Sequence, residues 1–497
     1  MLILLSDGAS LASRQCATVL SRAGHQVEAL CAEELCLGRM TRHVRRVHRV
    51  PSIGADPFGW LEAALDVAAR RHAEVLLPVQ EQVAVMSLAR GRIEAAGLRT
   101  AVPDFGALAR VQDKVSAFGT LTEAGLPQPP AVVAASRADL ESAGKLPAFV
   151  KTPIGTASAG VVRVETRAEL RQLAARYERD GVFGAGAVLV QQPADGPLIM
   201  VQSVFARGEL VAFHACQRVR EGTGGGASHK LGLDLPEARE HLAALGTALR
   251  WHGALSADVI GDRAGVVFID INPRLVEPVN ALASGVDLVR ALVEVARTGT
   301  SRPQPPGRPS ERTHQLLLAV LGAAQHGGRR EIARELGNAL ARRGDYRGSR
   351  EELTPGGGDL LAALPVVLIA AATLARPATG RYFTGGGVGA YSLTPAAWHA
   401  LVTADAARAH PRGGRTDAGR APRTVRQKDL LSFIRRGRRR RRGRRRSTGG
   451  ARPAGRSPTR ARGWRPAPPG PRRPRGVRAA SSPRSRTTCP PAPGRGS

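Results

Sequence analysis

Lysine is scarce in this chain: Lys114, Lys145, Lys151 and Lys230 stand before residue 411, Lys428 after it, and arginine fills the other basic positions. Lysine offers a compact, mobile point charge where arginine offers a planar fork, so each of these lysines invites a question; surface solvation is the plain alternative. Cysteine is sparse too. Cys16, Cys31, Cys36, Cys216 and Cys489 are odd in number, with no CxxC pair and no zinc spacing. That excludes a disulfide framework and a zinc module, and fits a reduced cytosol. No GxxxxGK[ST] occurs, so a P-loop is excluded as a motif. The opening "MLILLSDGAS" has no positive region before its apolar run and reads as a first strand, not a signal peptide. Long apolar runs are missing as well. Leu360 to Ala375 is too short to span a bilayer and contains Pro365; it reads as a buried helix, with membrane-surface contact as the alternative. No transmembrane segment is expected.

Acidic residues are almost absent from the end of the chain. The formal charge of +32 divides into 45 Lys/Arg against 39 Asp/Glu up to His410, then 28 against 2 beyond it. The body is ordinary and the tail is extreme. From Pro411 the text is Arg, Pro, Gly, Ala and Ser, with "RRGRRRRRGRRR" at Arg435 to Arg446, and holds too little apolar surface to order. Such a run binds polyanions in a salt-sensitive way, though with only Phe433 and Trp464 nearby base stacking is not indicated. An out-of-frame or run-on extension of GC-rich text is the competing reading of the tail.

The body opens as strand, glycine-bearing turn, helix and strand, and "DPFGWLEAALDVAARRHAEVLLPVQEQ" repeats the plan. This predicts a small doubly wound parallel sheet over 1–103. One helix is predicted from Asp104 through "ALARVQDKVSAFGTLTEAG". Strand-like "PAFVKTP", glycine-bearing "IGTASAG", a helix from Arg167 to Glu178 and the hairpin "PLIMVQSVFARGELVAFHACQRV" follow, an α+β half with mainly antiparallel strands. From Arg308 to Leu401 the pattern turns helical.

The chemistry concentrates in "GALSADVIGDRAGVVFIDINPR". Period-2 geometry predicts Phe268, Asp270 and Asn272 on one face. A five-residue loop "GDRAG", or any odd loop, would put Asp258 and Asp270 on the same face of the hairpin. Two such carboxylates repel unless a cation lies between them, and with the Asn272 amide oxygen they form an all-oxygen set suited to Mg²⁺. Solvent-facing polar residues at a hairpin end are the alternative. For phosphates, Lys114 and Lys151 offer charge, and Gly155, Ser158 and Gly160 follow Lys151 in a small-residue loop whose N–H groups can approach oxygens closely. A second loop, Gly222 to Gly226, carries His229 and Lys230 and reads as a lid over the γ-phosphate. His214 and His229 are proton-acceptor candidates, with an ordinary polar role as the alternative.

The order "QDKVSAFGTLTEAGLPQPP", "FVKTPIGTASAG", "VLVQQPADG", "GALSADVIGD", "FIDINPR" resembles the ATP-grasp superfamily, carboxylate-amine ligase type, over about residues 1–296. D-alanine:D-alanine ligase, biotin carboxylase and carbamoyl phosphate synthetase share that fold. The resemblance implies an ATP-grasp domain of two α+β subdomains over 104–305 behind the doubly wound sheet of 1–103; with the mainly helical region over 306–410 and the disordered tail over 411–497 read from pattern and composition, the chain is expected to be α/β and α+β. It implies Lys114 and Lys151 on ATP phosphates, Gln191, Gln192 and Ala194 at the adenine hinge, and Asp258, Asp270 and Asn272 on magnesium, or manganese in its place. Arg274 falls on the substrate or the transferring phosphoryl group, and Lys230 joins it as catalytic. Asp270 stands where such enzymes usually carry Glu, and Gln192-Pro193 where the hinge usually carries Glu. The implied reaction activates a carboxylate as an acyl phosphate for an amine or similar nucleophile, in the cytoplasm, with a homodimer as the assembly to consider. Glu277 and Asn280, just after the metal strand, are expected to face the substrate. The reading from a different class is a polyanion-binding protein whose nucleotide-binding half is regulatory or inactive.

Overall fold

The computed structural model describes residues 1–156, 158–262, 265–354 and 359–409. The basic tail and Cys489 lie outside these, so the polyanion and run-on readings are untouched by the structure.

Strands β1 (Leu2–Leu5), β2 (Gln26–Cys31), β3 (Arg46–Arg49) and β4 (Val75–Leu77) form the expected parallel sheet, in the order β3-β2-β1-β4. The crossover helices Leu11–Arg22 and Pro57–Arg71 start where the sequence caps them: Ser10 accepts from Ser13 N, and Asp56 accepts from Gly59 N with Pro57 in the first turn. After β1 the chain moves to one side and later returns to the other, so the strand order reverses between β1 and β4 while the strands stay parallel. Asp7 and the run Gln80-Glu81-Gln82 follow those two strand ends. The amides of Ala9 and Ser10 are bonded to the Asp7 carboxylate, so "DGAS" is a closed Asx turn.

The predicted helix from Asp104 is two helices, Phe105–Gln112 and Lys114–Glu123. Asp113 breaks it in an extended conformation and caps the second helix through Val115 N and Ser116 N. The break puts Lys114 at a helix start. β5 (Ala131–Ala134), β6 (Ala148–Lys151), β7 (Val161–Val164) and β8 (Val188–Gln191) then form an antiparallel sheet in the order β5-β8-β6-β7. The helix Arg167–Arg179, opened by a Thr166/Glu169 capping box, covers it with Leu170, Leu173 and Tyr177.

The largest sheet is β9 (Leu198–Ala206), β10 (Glu209–Glu221), β11 (Ala227–Leu233), β12 (Gly253–Asp262), β13 (Gly265–Asn272), β14 (Arg312–His314) and β15 (Arg350–Glu351), in the order β13-β12-β9-β10-β11-β14-β15. Arg207 and Gly208, both at positive φ, make the two-residue turn from β9 to β10. Odd-numbered residues of β9, of β12 and of β10 past its irregularity at Leu210/Ala212, among them Ile199, Val201, Phe213, Ala215, Leu255 and Val259, pack with Ala238, Leu242 and Leu245 of the helix Pro236–Leu249. Even-numbered residues face the other way, with Met200 paired to both Cys216 and Asp258, and Gln202 to both His214 and Ser256. Polarity at the middle of that face and apolarity at its end divide it: Val204, Ala212 and Ala254 pack with the helix Leu288–Thr298 and with Ile3 and Leu5 of the parallel sheet.

Two expectations are corrected in the C-terminal part. It opens with a strand, because β14 and β15 extend the large sheet beside β11. The helix Leu360–Ala375 is half exposed: Ala362, Val366 and Ala370 pack inward, whereas Leu360, Val367 and Leu368 are 85%, 61% and 53% exposed. A run apolar on all sides has no period that would choose its buried face. Among the described residues no helix is long and apolar enough to cross a membrane.

Candidate active site

The expected carboxylate pair forms, by a route other than the expected one. Asp262 pairs with Gly265, so the connection is even, and a regular ladder would set Asp258 opposite Ile269. A β-bulge intervenes: Val259 pairs with Phe268 but Asp258 pairs with Asp270, leaving Ile269 as the extra residue. The bulge also overturns the period-2 reading of Phe268, Asp270 and Asn272. Phe268 and Ile271 enter the core, while Asp270 and Asn272 stand on the opposite, polar face.

Both phosphate-candidate lysines reach this bulge. Lys114 Nζ donates to both Asp270 oxygens at 2.9 Å, and Lys151 Nζ donates to the carbonyl of Ile269 at 2.7 Å. Burial and the neighbouring Asp270 charge push the Asp258 carboxyl up to about 6. Burial also opposes ionisation of Asp270, yet the Lys114 and Lys151 charges prevail and hold it below the usual carboxylate range. Burial lowers the Lys151 ammonium, with Asp270 acting against it. Two opposed carboxylates supply the oxygen ligands a hard divalent cation takes, and the Lys114 ammonium stands on Asp270 in this structure. Among the described residues no three His, Cys, Asp or Glu converge as a metal cluster, so two carboxylates are what the protein brings to such an ion.

The loop after Lys151 is tightly folded. A Cβ on Gly155 would lie 2.0 Å from the carbonyl oxygen of Ala159, and one on Gly160, at φ +79°, would lie 2.0 Å from Thr152 Oγ1. Ser158 is also at positive φ, and its Oγ would lie 3.4 Å from a Cβ on Gly225, so the two glycine-rich loops approach each other. The second loop differs from the expected lid. Gly222 is pressed against Leu318, where a Cβ would meet the Leu318 Cβ and carbonyl oxygen at 2.9 Å, and His229 and Lys230 lie on β11, outside the loop. At the expected hinge, Gln191 ends β8, opposite Phe149 of the strand carrying Lys151, with Ala194 following. The Gln192 side chain is turned to the Lys145 carbonyl at 2.7 Å.

Arg274 meets a partner that sequence reasoning missed. Its Nη1 lies 2.8 Å from Oε1 of Glu81, which also accepts from Thr156 of the first glycine loop at 3.3 Å, while Oε2 accepts from Gln112 at 2.9 Å. Glu81 thus joins the switch point of the parallel sheet to the first glycine loop and the arginine. Its place just beyond a parallel strand was the available signal.

Lys230 anchors a second corner of the same face. It is 2% exposed, paired with Glu277 and, at 2.7 Å, with Oε2 of Glu352. Although burial opposes its charge, those carboxylates hold its ammonium well above the ordinary lysine range. Glu277 has φ +27°, a conformation side chains rarely adopt. Cys216 lies between the corners: burial raises its thiol to about 12, with Lys230, Glu352, Glu277 and Asp258 all acting on it. His214 Nε2 bonds Asn280 Oδ1 at 2.7 Å, and His229 lies edge-on to Tyr346 and stacked near His314. These contacts fit the ordinary polar alternative.

No protein-family model and no curated protein matches the sequence. Solved structures do. The biotin carboxylase domain of 2-oxoglutarate carboxylase from Hydrogenobacter thermophilus, a dimer in complex with MgADP, ADP and bicarbonate, is 18% identical, with a TM-score of 0.50 over 63% of this chain and 73% of that one. PurK, an N5-carboxyaminoimidazole ribonucleotide synthetase in complex with ADP, is 13% identical, with a TM-score of 0.50 over 68% of this chain and 85% of that one. This chain has the ATP-grasp fold. Within that ATP-grasp fold, Lys114, Lys151, Asp258 and Asp270 come together at one bulge, and Lys230 and Arg274 stand on the same side of the large sheet, each held by carboxylates.

Proposed function

We propose that this protein is an ATP- and Mg²⁺-dependent ligase that activates a carboxylate as an acyl phosphate for an amine or similar nucleophile. The carrying observation is the convergence of Lys114 and Lys151 on the bulge that sets Asp270 opposite Asp258. The likeness to structures holding ADP, one of them with magnesium, supports the same reading. Asp258, Asp270 and Asn272 would hold magnesium, which when bound supplies Lewis-acid stabilisation of phosphoryl charge.

The remaining work falls to this chain's side chains. A carboxylate oxygen attacks the γ-phosphorus, the bond to the bridging oxygen breaks and ADP departs. The nucleophile then attacks the acyl carbon, phosphate leaves and the amine gives up a proton. Lys114 and Lys151 place positive charge at the phosphates, and the loop of Gly155, Ser158 and Gly160 wraps them. Arg274, steadied by Glu81, faces the transferring group, and Lys230 offers a fixed cation beside it. The Gln191 to Ala194 segment is assigned to the base.

The test is ADP release with Mg²⁺ across a library of carboxylates and amines, with products identified by mass spectrometry. Turnover in the native protein that disappears in Asp270→Ala supports the ligase. Equal background in both, together with salt-sensitive RNA binding, favours the polyanion reading.

A further inference from the structure

Glu352 lies 122 residues beyond Lys230 in sequence, in the part of the chain that sequence alone left without a role, yet its carboxylate sits inside the polar face. Its side chain is fully buried and both oxygens are used. Oε1 accepts from Thr313 Oγ1 at 2.6 Å; Oε2 accepts from Lys230 Nζ at 2.7 Å and from Gln15 Nε2 at 2.9 Å. The partners are fixed in turn. Gln15 Oε1 takes the backbone N–H of Val279 at 3.0 Å, and Thr313 Oγ1 accepts from Asn280 at 2.8 Å. Three parts of the chain therefore meet at one carboxylate: the first crossover helix, β11 and the β14–β15 edge.

Glu277 holds the other side of Lys230 but is built differently. It is 17% exposed, follows the metal strand within a few residues, and sits at positive φ. One carboxylate is thus an immobile brace and the other stands toward the open part of the face. A lysine held from one side by a fully bonded acid keeps its charge and its position when the second acid moves or changes partner.

We infer that Glu352 is a positioning residue for Lys230, so that the C-terminal region is a constituent of the active site. The inference rests on the ligase reading above, because Lys230 needs a reaction to serve. Glu352 itself touches no reacting atom.

The experiment is steady-state ADP release by the full chain and by Glu352→Gln, Glu352→Asp and Thr313→Val, with ATP binding and thermal melting measured on the same preparations. Glu352→Gln is expected to lower kcat by about tenfold or more while the ATP Kd stays within about twofold, since the Lys114–Lys151 corner is untouched. Glu352→Asp, which keeps the charge, is expected to recover part of the loss, and Thr313→Val to lower kcat by a few fold. If Glu352→Gln fails to fold, Thr313→Val, which leaves the carboxylate in place, carries the test. A kcat within about twofold of wild type in the folded variant, or a kcat loss that merely tracks loss of ATP binding and folded protein, overturns the inference. Absence of ADP release by the wild type overturns the ligase reading and the inference with it; release by wild type that is unchanged in these variants overturns the inference alone.

Discussion

The two corners of the polar face are both built from lysine and carboxylate, but they are made to behave differently. At the bulge, Lys114 and Asp270 are paired in reach of solvent, with side chains 12% and 26% exposed, and Asp258 is held near the edge of protonation. At Lys230, lysine and Glu352 are sealed, and every oxygen of Glu352 has a donor. The first corner is open enough to exchange one partner for another, as the proposed function would require. The second is a fixture. The contrast teaches that similar ion pairs serve different ends according to how many of their hydrogen bonds are already made.

The largest effect should come from removing the exchangeable corner's acid: Asp270→Ala is expected to cut ADP release by about 100- to 1000-fold while leaving urea unfolding nearly unchanged. A comparable loss of stability would erase the contrast. Lys230→Met should do the reverse to the fold. It leaves the buried Glu352 and the half-buried Glu277 without a counter-charge, and about 3–5 kcal/mol of unfolding free energy is expected to go, read from urea titration of Trp60 and Trp251 fluorescence. Gly155→Ala comes next. The new Cβ collides with a backbone oxygen, so the glycine loop assigned to the phosphates must shift, and a roughly tenfold rise in ATP KM is expected with little change in melting.

The smallest effect concerns pH. Burial lowers His214 to about 4, and it is hydrogen-bonded through Asn280 and Thr313 to Glu352. The folded value lies below the ordinary histidine value near 6.5, so the unfolded chain takes up the proton first. The stability tied to neutral His214 is complete above about pH 6.5 and lost as pH falls toward 4. His214→Gln, which keeps a donor for Asn280, should flatten the melting temperature against pH in that window. An unchanged slope would detach His214 from the fixture.

Much of the exchangeable corner was legible because its information is local. The hairpin that carries Asp258 and Asp270 is contiguous, and lysines in an arginine-rich chain are easy to notice. What could not be read was the bulge: the carboxylates meet because Ile269 is extra, whereas sequence parity required an odd loop. Strand period alone cannot reveal one unpaired residue. The alternation of strand and helix up to Pro103, and the existence of a hairpin around "RGE", were readable from turn chemistry and period, although Glu209 belongs to β10 and the turn is Arg207-Gly208. The fixture was unreadable in principle. Glu352 and Gln15 are 337 residues apart, and nothing in either neighbourhood announces the other. Glu81 lies between these cases, since a strand end near a sheet reversal is a place to look. The half-exposed helix Leu360–Ala375 shows a further limit, where uniform apolarity hides which side is inside.

The distance between Gln15 and Glu352 also sets an order of events during synthesis. Leaving the ribosome ahead of the large sheet, the parallel sheet has its own strands and crossover helices to fold upon, and β9 to β13 can pair as they emerge. Lys230 nonetheless stays on an open strand edge, beside Glu277 alone, until β14 and β15 arrive. A nascent chain stopped near residue 305 would hold the bulge corner and lack the brace, so a stretch translated after that corner is the one that closes the helix Leu11–Arg22 onto the site.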